Sequence, residues 1–288
     1  MLTIRLFGSL ASLLCLLGLQ MSTANAAHAQ PARFLLTFDD GPSTKTHNNP
    51  TESILRTLDS NAVQNGIKAI FFTQTRLGPD RKGQLTLQLL TRNHLAGHLL
   101  AIHSGSRIGI LDHRLLKGGE LHEFLVNSQN ALRGITGHTP RLIRPPYWAF
   151  NERTWAAYRE VSLSMLLTDI SVGDGKSWGF RANPRRRSVL LKQMQVVKQR
   201  IDDGGIPLVE GLHPIIVTFH DTNTWTASHM EEYLKLLIES ASSAGVTLDQ
   251  RTFYAQRETL ERVAVRRSEL EPNPEEMVPS RWRWLHGE

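Results

Sequence analysis

An apolar run, Phe34-Leu35-Leu36-Thr37-Phe38, leads directly into two adjacent carboxylates, Asp39 and Asp40, and then into Gly41-Pro42. Adjacent carboxylates on a turn can point in different directions. One could then bind a divalent cation while the other accepts a proton from water on that cation. Asp and Gly are also favoured in plain turns, where they satisfy local hydrogen bonds, and this stretch alone leaves both readings open. Other residues of catalytic type stand at the ends of short apolar runs: His103, Arg144, Asp169 and His220. An imidazole titrates near neutrality and suits proton transfer. Arg144 precedes Pro145-Pro146-Tyr147, which reads either as part of a site or as a rigid loop beside a structural ion pair.

The pattern around these residues is one of short apolar strands alternating with amphipathic helices. Strands are predicted at 33–38, 68–73, 98–103, 142–144, 164–168 and 215–220, with a weaker one at 246–248. Helices are predicted near 50–63, 85–96, 120–133, 152–161, 189–201 and 228–244; the last has the clearest periodicity, in Met230, Tyr233, Leu234, Leu237 and Ile238. Repeated βα units imply a parallel sheet covered by helices, as a barrel or as a doubly wound sheet. Catalytic-type residues at the carboxyl ends of several different strands favour the barrel, since an open sheet gathers them at one switch point. The expectation is a single α/β domain, a distorted (β/α) barrel of about seven parallel strands. Residues 170–206, with Gly173, Gly175 and Gly179, form a long excursion that is either a substrate loop or an extended crossover.

Thr37-Phe38-Asp39-Asp40-Gly41-Pro42 resembles the first motif of the polysaccharide deacetylases, carbohydrate esterase family 4, which includes chitin, chitooligosaccharide and peptidoglycan deacetylases. Further motifs follow in the family's order over 33–248. The resemblance implies that Asp39 is the general base and Asp40 a ligand of one divalent ion, zinc or a similar transition metal. Arg144-Pro145-Pro146-Tyr147 is similar to the family's Arg-x-Pro-Tyr/Phe, which implies that Arg144 orients and tunes the base and that the Tyr147 backbone N–H helps to hold the oxyanion. Such a donor is worth a few kcal/mol of barrier. His220 falls on the histidine of Leu-x-His, which protonates the leaving amine, and Thr218 stands where the leucine usually forms a small apolar wall for the acetyl methyl. Asp169 is expected to be the aspartate that tunes His220, with Asp174 as the alternative. Tyr147 and Trp148 are expected to offer aromatic faces to a sugar ring.

The second motif departs from the family. Gly97-His98-Leu99-Leu100-Ala101-Ile102-His103-Ser104 aligns, and His103 takes the place of the first metal histidine, but the second falls on Arg107. An arginine stays protonated and cannot ligate a metal. His113 lies ten positions after His103, across Gly105 and Gly109. It is expected to restore the set Asp40, His103 and His113, with open positions for water and substrate; a loop histidine is the alternative.

The 288 residues, 40% hydrophobic and 21% charged, suit a globular chain and exclude a fibrous or polytopic one. Arg5, the apolar run 10–19 and Ala24-Asn25-Ala26 read as a signal peptide over 1–26, the apolar core being short of the ~20 residues that span a bilayer. The single cysteine, Cys15, would leave with it, so the mature chain would carry no disulfide. A net charge of +6, or +5 without Arg5, suits an anionic envelope polymer or simple solubility. Arg185-Arg186-Arg187 reads as the start of a solvated helix, and no motif points to nucleic acid. The expected organisation is a deacetylase-like domain over 27–262 and a tail over 263–288 containing Trp282-Arg283-Trp284. The chain reads as a periplasmic or secreted hydrolase acting on an N-acetylated carbohydrate, without a transmembrane segment after cleavage; its oligomeric state is not legible. The alternatives are a metal-free carbohydrate-binding relative and a deacylase of a non-sugar amide or ester.

Overall fold

A computed structural model describes residues 30–75, 80–105, 110–174 and 186–270. The expected signal peptide, Arg107, the segment 175–185 and Trp282-Arg283-Trp284 lie outside the described residues. In chain order the elements are β1 (Ala32–Gly41), α1 (Pro50–Asp59), β2 (Ile70–Gln74), α2 (Arg81–Leu95), β3 (Leu99–Ser104), α3 (Gly118–Thr136), β4 (Leu142–Ile143), α4 (Glu152–Glu160), β5 (Ser164–Met165), β6 (Ile170–Ser171), α5 (Arg186–Asp202), β7 (His213–His220), α6 (Thr224–Ser228), α7 (Met230–Ala244), β8 (Leu248–Phe253) and α8 (Arg257–Glu269).

The continuous apolar run of β1 marks a strand covered on both faces, and β1 is the centre of the sheet. The strand order is β5-β4-β3-β2-β1-β7-β6, with β8 beside the first residues of β1, and all these strand pairs are parallel. The outermost strands β5 and β6 are joined by only residues 166–169. At about 3.5 Å per extended residue, that link reaches less than about 20 Å. The two edges of the sheet must therefore curl toward each other, giving the distorted barrel expected from the sequence.

Two apolar layers hold the curl. One lies between the sheet and the outer helices, with Phe34, Leu36 and Phe38 of β1 against Ile54 and Leu58 of α1 and Leu234 and Leu237 of α7. The other fills the inner side, with Leu35, Ile70, Phe72 and Ile216 against Leu260, Val263 and Val265 of α8. Asn49 caps α1 by accepting from the Glu52 N–H, with Pro50 in its first turn, and Asp80 caps α2 through the Gly83 N–H at 2.8 Å. The helices α3 and α7 end on Gly137 and Gly245, both left-handed.

Three expectations need correction. The strand predicted over 164–168 is a two-residue β5 followed by a break, and the strand beside β7 is β6, which falls inside the predicted excursion. The weak strand at 246–248 is the beginning of β8. The boundary expected at 262 cuts through α8, which buries Val263, Ala264, Val265 and Arg267. Among the described residues no helix is long and apolar enough to cross a membrane.

Candidate active site

In a regular strand, successive side chains point to opposite faces, so Asp39 and Asp40 would diverge. They do not, because the β1–β2 register shifts between Asp39 and Gly41 and Asp40 adopts a left-handed φ of 71°. Such a bulge re-aims a side chain. The turn is closely fitted: a Cβ on Gly41 would lie 2.0 Å from a carboxylate oxygen of Asp221. Asp221 is itself buried and accepts from Thr51 Oγ1 at 2.8 Å.

Asp39 is held by Arg144. The Arg144 Nη1 donates to Asp39 Oδ1 at 2.8 Å and to Thr37 Oγ1 at 2.7 Å, while its Nε and Nη2 donate to the Leu166 and Leu167 carbonyls at 2.9 and 3.0 Å. The guanidinium is fully buried, 4.1 Å from the centre of the Phe72 ring and 5.1 Å from that of Trp148. The charge-assisted hydrogen bond to a guanidinium that is itself held at four points fixes this carboxylate in one orientation.

Asp40 faces the two histidines. Its Oδ1 lies 3.2 Å from His103 Nε2 and its Oδ2 lies 3.9 Å from His220 Nε2. His103 Nδ1 lies 2.8 Å from the Arg144 carbonyl, to which it must donate, so Nε2 is the atom presented to Asp40. Burial works against charge on His103, but the Asp40 hydrogen bond, the Asp39 and Asp40 charges and the Arg144 carbonyl together raise its pKa. Burial likewise opposes ionisation of Asp40, and His103 and His220 outweigh it and lower its pKa.

Two donors 3.2 Å apart have the spacing of neighbouring ligands on one ion, about 3.3 Å for bonds of about 2 Å in a tetrahedron. The third donor expected from sequence is not there. Buried His113 turns its Nδ1 onto the Tyr158 hydroxyl at 2.7 Å, with its ring 4.9 Å from that of Phe124. Burial and the nearby His103 push its pKa down to about 3, so it is a neutral core imidazole. Among the described residues no group of three or more His, Cys, Asp or Glu could hold an ion. His113 therefore does not join Asp40 and His103, and those two fit one edge of a divalent ion's shell and no more.

His220 is paired with Asp174, not with the expected Asp169. Asp174 accepts from His220 Nδ1 at 2.7 Å, from the His220 backbone N–H at 3.0 Å and from Thr226 Oγ1 at 2.6 Å. Burial alone would lower the His220 pKa; Asp174 first, then Asp40 and Asp39, push it up to about 10. Asp169 precedes β6 and exchanges hydrogen bonds with Ile216 at 2.8 and 3.0 Å. That register leaves it four residues before His220 along β7, about 13 Å down the barrel. There it pairs with Arg200 at 2.6 Å and Arg267 at 3.1 Å.

The loop after β4 carries Tyr147 and Trp148, both at a left-handed φ of 60°. Backbone strain of this kind costs about 1–3 kcal/mol and collects at functional sites. Tyr147 is 47% exposed and presents its ring to solvent, whereas Trp148 is 8% exposed and packs under Arg144. Only Tyr147 offers a face to a ligand, which corrects the expectation for Trp148.

Sequence reasoning missed a chain of buried hydroxyls. Thr218 Oγ1 lies 2.9 Å from both Thr168 Oγ1 and Thr37 Oγ1, and Thr37 in turn receives Arg144. Thr218 is thus tied into the support of Arg144 and, through it, Asp39. The signal was one threonine inside each apolar run, Leu36-Thr37-Phe38 on β1 and Val217-Thr218-Phe219 on β7, but the register that joins them was not legible.

The profile of the polysaccharide deacetylase family matches residues 27–166. The chain is 28% identical over 193 residues to the peptidoglycan-N-acetylglucosamine deacetylase PgdA of Listeria monocytogenes, covering 66% of this chain and 34% of that protein. It is 31% identical over 133 residues to the chitin deacetylase of Pestalotiopsis sp, covering 46% of this chain and 39% of that protein. The alignments thus span little more than a third of these relatives. The chitin deacetylase of Colletotrichum lindemuthianum shares the fold, with a TM-score of 0.54 at 20% identity over 76% of this chain and 85% of that one. The family profile gives the chain a polysaccharide deacetylase domain over residues 27–166, and the similarity to these relatives agrees with it.

Proposed function

We propose that this chain is an exported hydrolase that removes N-acetyl groups from carbohydrate of the chitooligosaccharide, peptidoglycan or exopolysaccharide type. The observation that carries the reading is the juxtaposition of two oriented pairs, Arg144–Asp39 and Asp174–His220, on either side of the Asp40–His103 donors. A protein that merely bound sugar would need neither a held base nor a held acid.

In the mechanism, Asp39 accepts the proton of the water that attacks the acetamide carbon. The Tyr147 N–H, on its strained turn, donates to the developing oxyanion. As the C–N bond breaks, His220 gives its Nε2 proton to the leaving amine, and acetate and a free sugar amine result. Asp40 and His103 would hold a divalent ion, which when bound supplies polarisation of the carbonyl and acidification of water. With only these two protein donors meeting among the described residues, such an ion would be held weakly and would exchange with solution.

The test uses the chain from residue 27 onward, with acetate release from N-acetylated oligosaccharides and metal content measured on the same preparation. Turnover should depend on added divalent metal, with less than one ion per chain retained after dialysis, and His103→Ala should abolish metal uptake measured by calorimetry. Absence of acetate release at saturating zinc, cobalt or manganese would favour the non-catalytic relative, a reading supported by there being no third donor beside Asp40 and His103 among the described residues. Release only from non-sugar amides or esters would keep the hydrolase and change its substrate. Export with removal of residues 1–26 is checked by mass spectrometry of the secreted protein.

A further inference from the structure

A cleft of about 400 Å³ opens directly beside Asp40, between the loop after β1 and the first turns of α2. Its walls include Lys45 and Thr44 from the loop, Gln74 at the end of β2, and Asp80, Lys82 and Thr86 from α2. The size suits roughly one or two sugar rings. A glycan whose acetamide lies between Asp39 and His220 must place its neighbouring residue somewhere on the surface next to Asp40, and this cleft adjoins it.

The charges in the cleft are unequally used. Asp40 is engaged by His103 at 3.2 Å, and Asp80 accepts from the Gly83 N–H at 2.8 Å as the cap of α2. Gln74 is tied down by donating from its Nε2 to the Asp40 carbonyl at 2.8 Å. Lys45 and Lys82 are both exposed, and among the described residues no acidic side chain pairs with either. Two exposed ammonium groups thus line the cleft while its carboxylates are already hydrogen-bonded. An ammonium is a strongly hydrated point charge that meets an anion without demanding one fixed geometry.

We infer that this cleft binds a carboxylate carried by the sugar next to the one deacetylated, and that Lys45 and Lys82 make the chain select acidic over neutral N-acetylated glycans. The inference rests on the deacetylase reading and deepens it by naming the substrate class. The carboxylate of a uronic acid and that of a lactyl ether present the same chemistry to the two lysines. Exposed ion pairs are individually weak and screened by salt, so the selection expected from both lysines together is on the order of tenfold at low ionic strength.

The experiment compares three N-acetylated oligosaccharides of equal length: a neutral one, one with a uronic acid beside the scissile residue, and one with a lactyl ether there. In the wild-type chain kcat/KM should favour one or both acidic substrates by about tenfold in low salt, and 1 M sodium chloride should erase the ratio. The double variant Lys45→Gln/Lys82→Gln should bring the ratio close to one, while Lys192→Gln, an exposed lysine on α5, should leave it as in the wild type. Equal or greater preference for the neutral substrate, or a preference that survives the double variant, would overturn the inference. If none of the three is turned over, the deacetylase reading fails, and calorimetric titration with the same oligosaccharides still decides the cleft. Tighter binding of an acidic one, lost in the double variant, upholds it; equal binding of all three refutes it.

Discussion

Arg144 is a guanidinium with no exposed surface, and Asp39 is the carboxylate that meets it. Removing one partner of a buried pair leaves the other uncompensated, at a cost of about 3–5 kcal/mol. Asp39→Asn is therefore expected to do two things: reduce kcat about 10²–10⁴-fold through loss of the base, and lower the melting temperature. A variant that keeps wild-type acetate release would remove Asp39 from the mechanism. A different carboxyl, Asp221, is strained in the opposite sense. Burial raises its pKa from 3.8 to about 7 despite the Thr51 hydrogen bond. The folded chain thus holds this proton more tightly than the unfolded one between about pH 4 and 7. The stability it contributes is complete below about pH 4 and is lost as the pH rises through about 7. Asp221→Asn, which carries no charge at any pH, should gain in melting temperature relative to the wild type on going from pH 5 to pH 8. A difference between the two proteins that does not change with pH would contradict this.

Among the elements, β6 separates two aspartates that the sequence places close together. Asp174, three residues beyond β6, reaches His220 at the rim, while Asp169 precedes β6 and anchors α5 and α8 through Arg200 and Arg267. Their substitutions should differ in kind. Asp174→Asn should lower kcat about 10–100-fold, the usual weight of a partner that orients a functional imidazole. Without that carboxylate the His220 pKa falls, so the alkaline limb of the kcat profile should move to lower pH. Asp169→Asn should instead destabilise the fold by about 3–5 kcal/mol and leave kcat and its pH profile unchanged in the protein that remains folded; a shifted profile would return Asp169 to the site. The motifs on β1, β3, β4 and β7 were legible because each is a single strand delivering its own side chain. Asp174 was not, since choosing it required knowing that the chain breaks after Met165 and that β6 pairs with β7. His113 was misplaced for a related reason: loop glycines allow a return toward Asp40, but the Tyr158 hydroxyl and the Phe124 ring give the imidazole a better-packed place in the core.

For the molecule as a whole, the parallel pairing of β1 with β7 sets Asp39 directly opposite His220. The proposed base and acid thus stand on adjacent strands although 180 residues of chain separate the Thr37 and Val217 that hydrogen-bond below them. A barrel legible from βα alternation implies such neighbours in general, but the particular pairing depends on crossovers that periodicity does not reveal. The same holds at the other end of the barrel. α8 touches β3, β5 and β7, and its Leu260, Val263 and Val265 are almost fully buried on the inner side of the sheet. Its second half, from Val263 onward, was expected to belong to the tail. Burying those three side chains contributes about 1.5–3 kcal/mol each, together comparable with the 5–15 kcal/mol that usually separates folded from unfolded states. Arg267 adds the buried pair with Asp169, which ties the helix to β6. A chain ending at residue 262 lacks Val263, Val265 and Arg267 and is expected to be recovered unfolded or insoluble. One ending at Leu270 retains all of α8 and should show a cooperative thermal transition. Leu260→Ala in the full chain isolates the packing contribution, with an expected loss of about 2–5 kcal/mol measured by denaturant unfolding. Cooperative unfolding and undiminished stability in the chain cut at 262 would show that α8 is an appendage, and that the barrel closes without it.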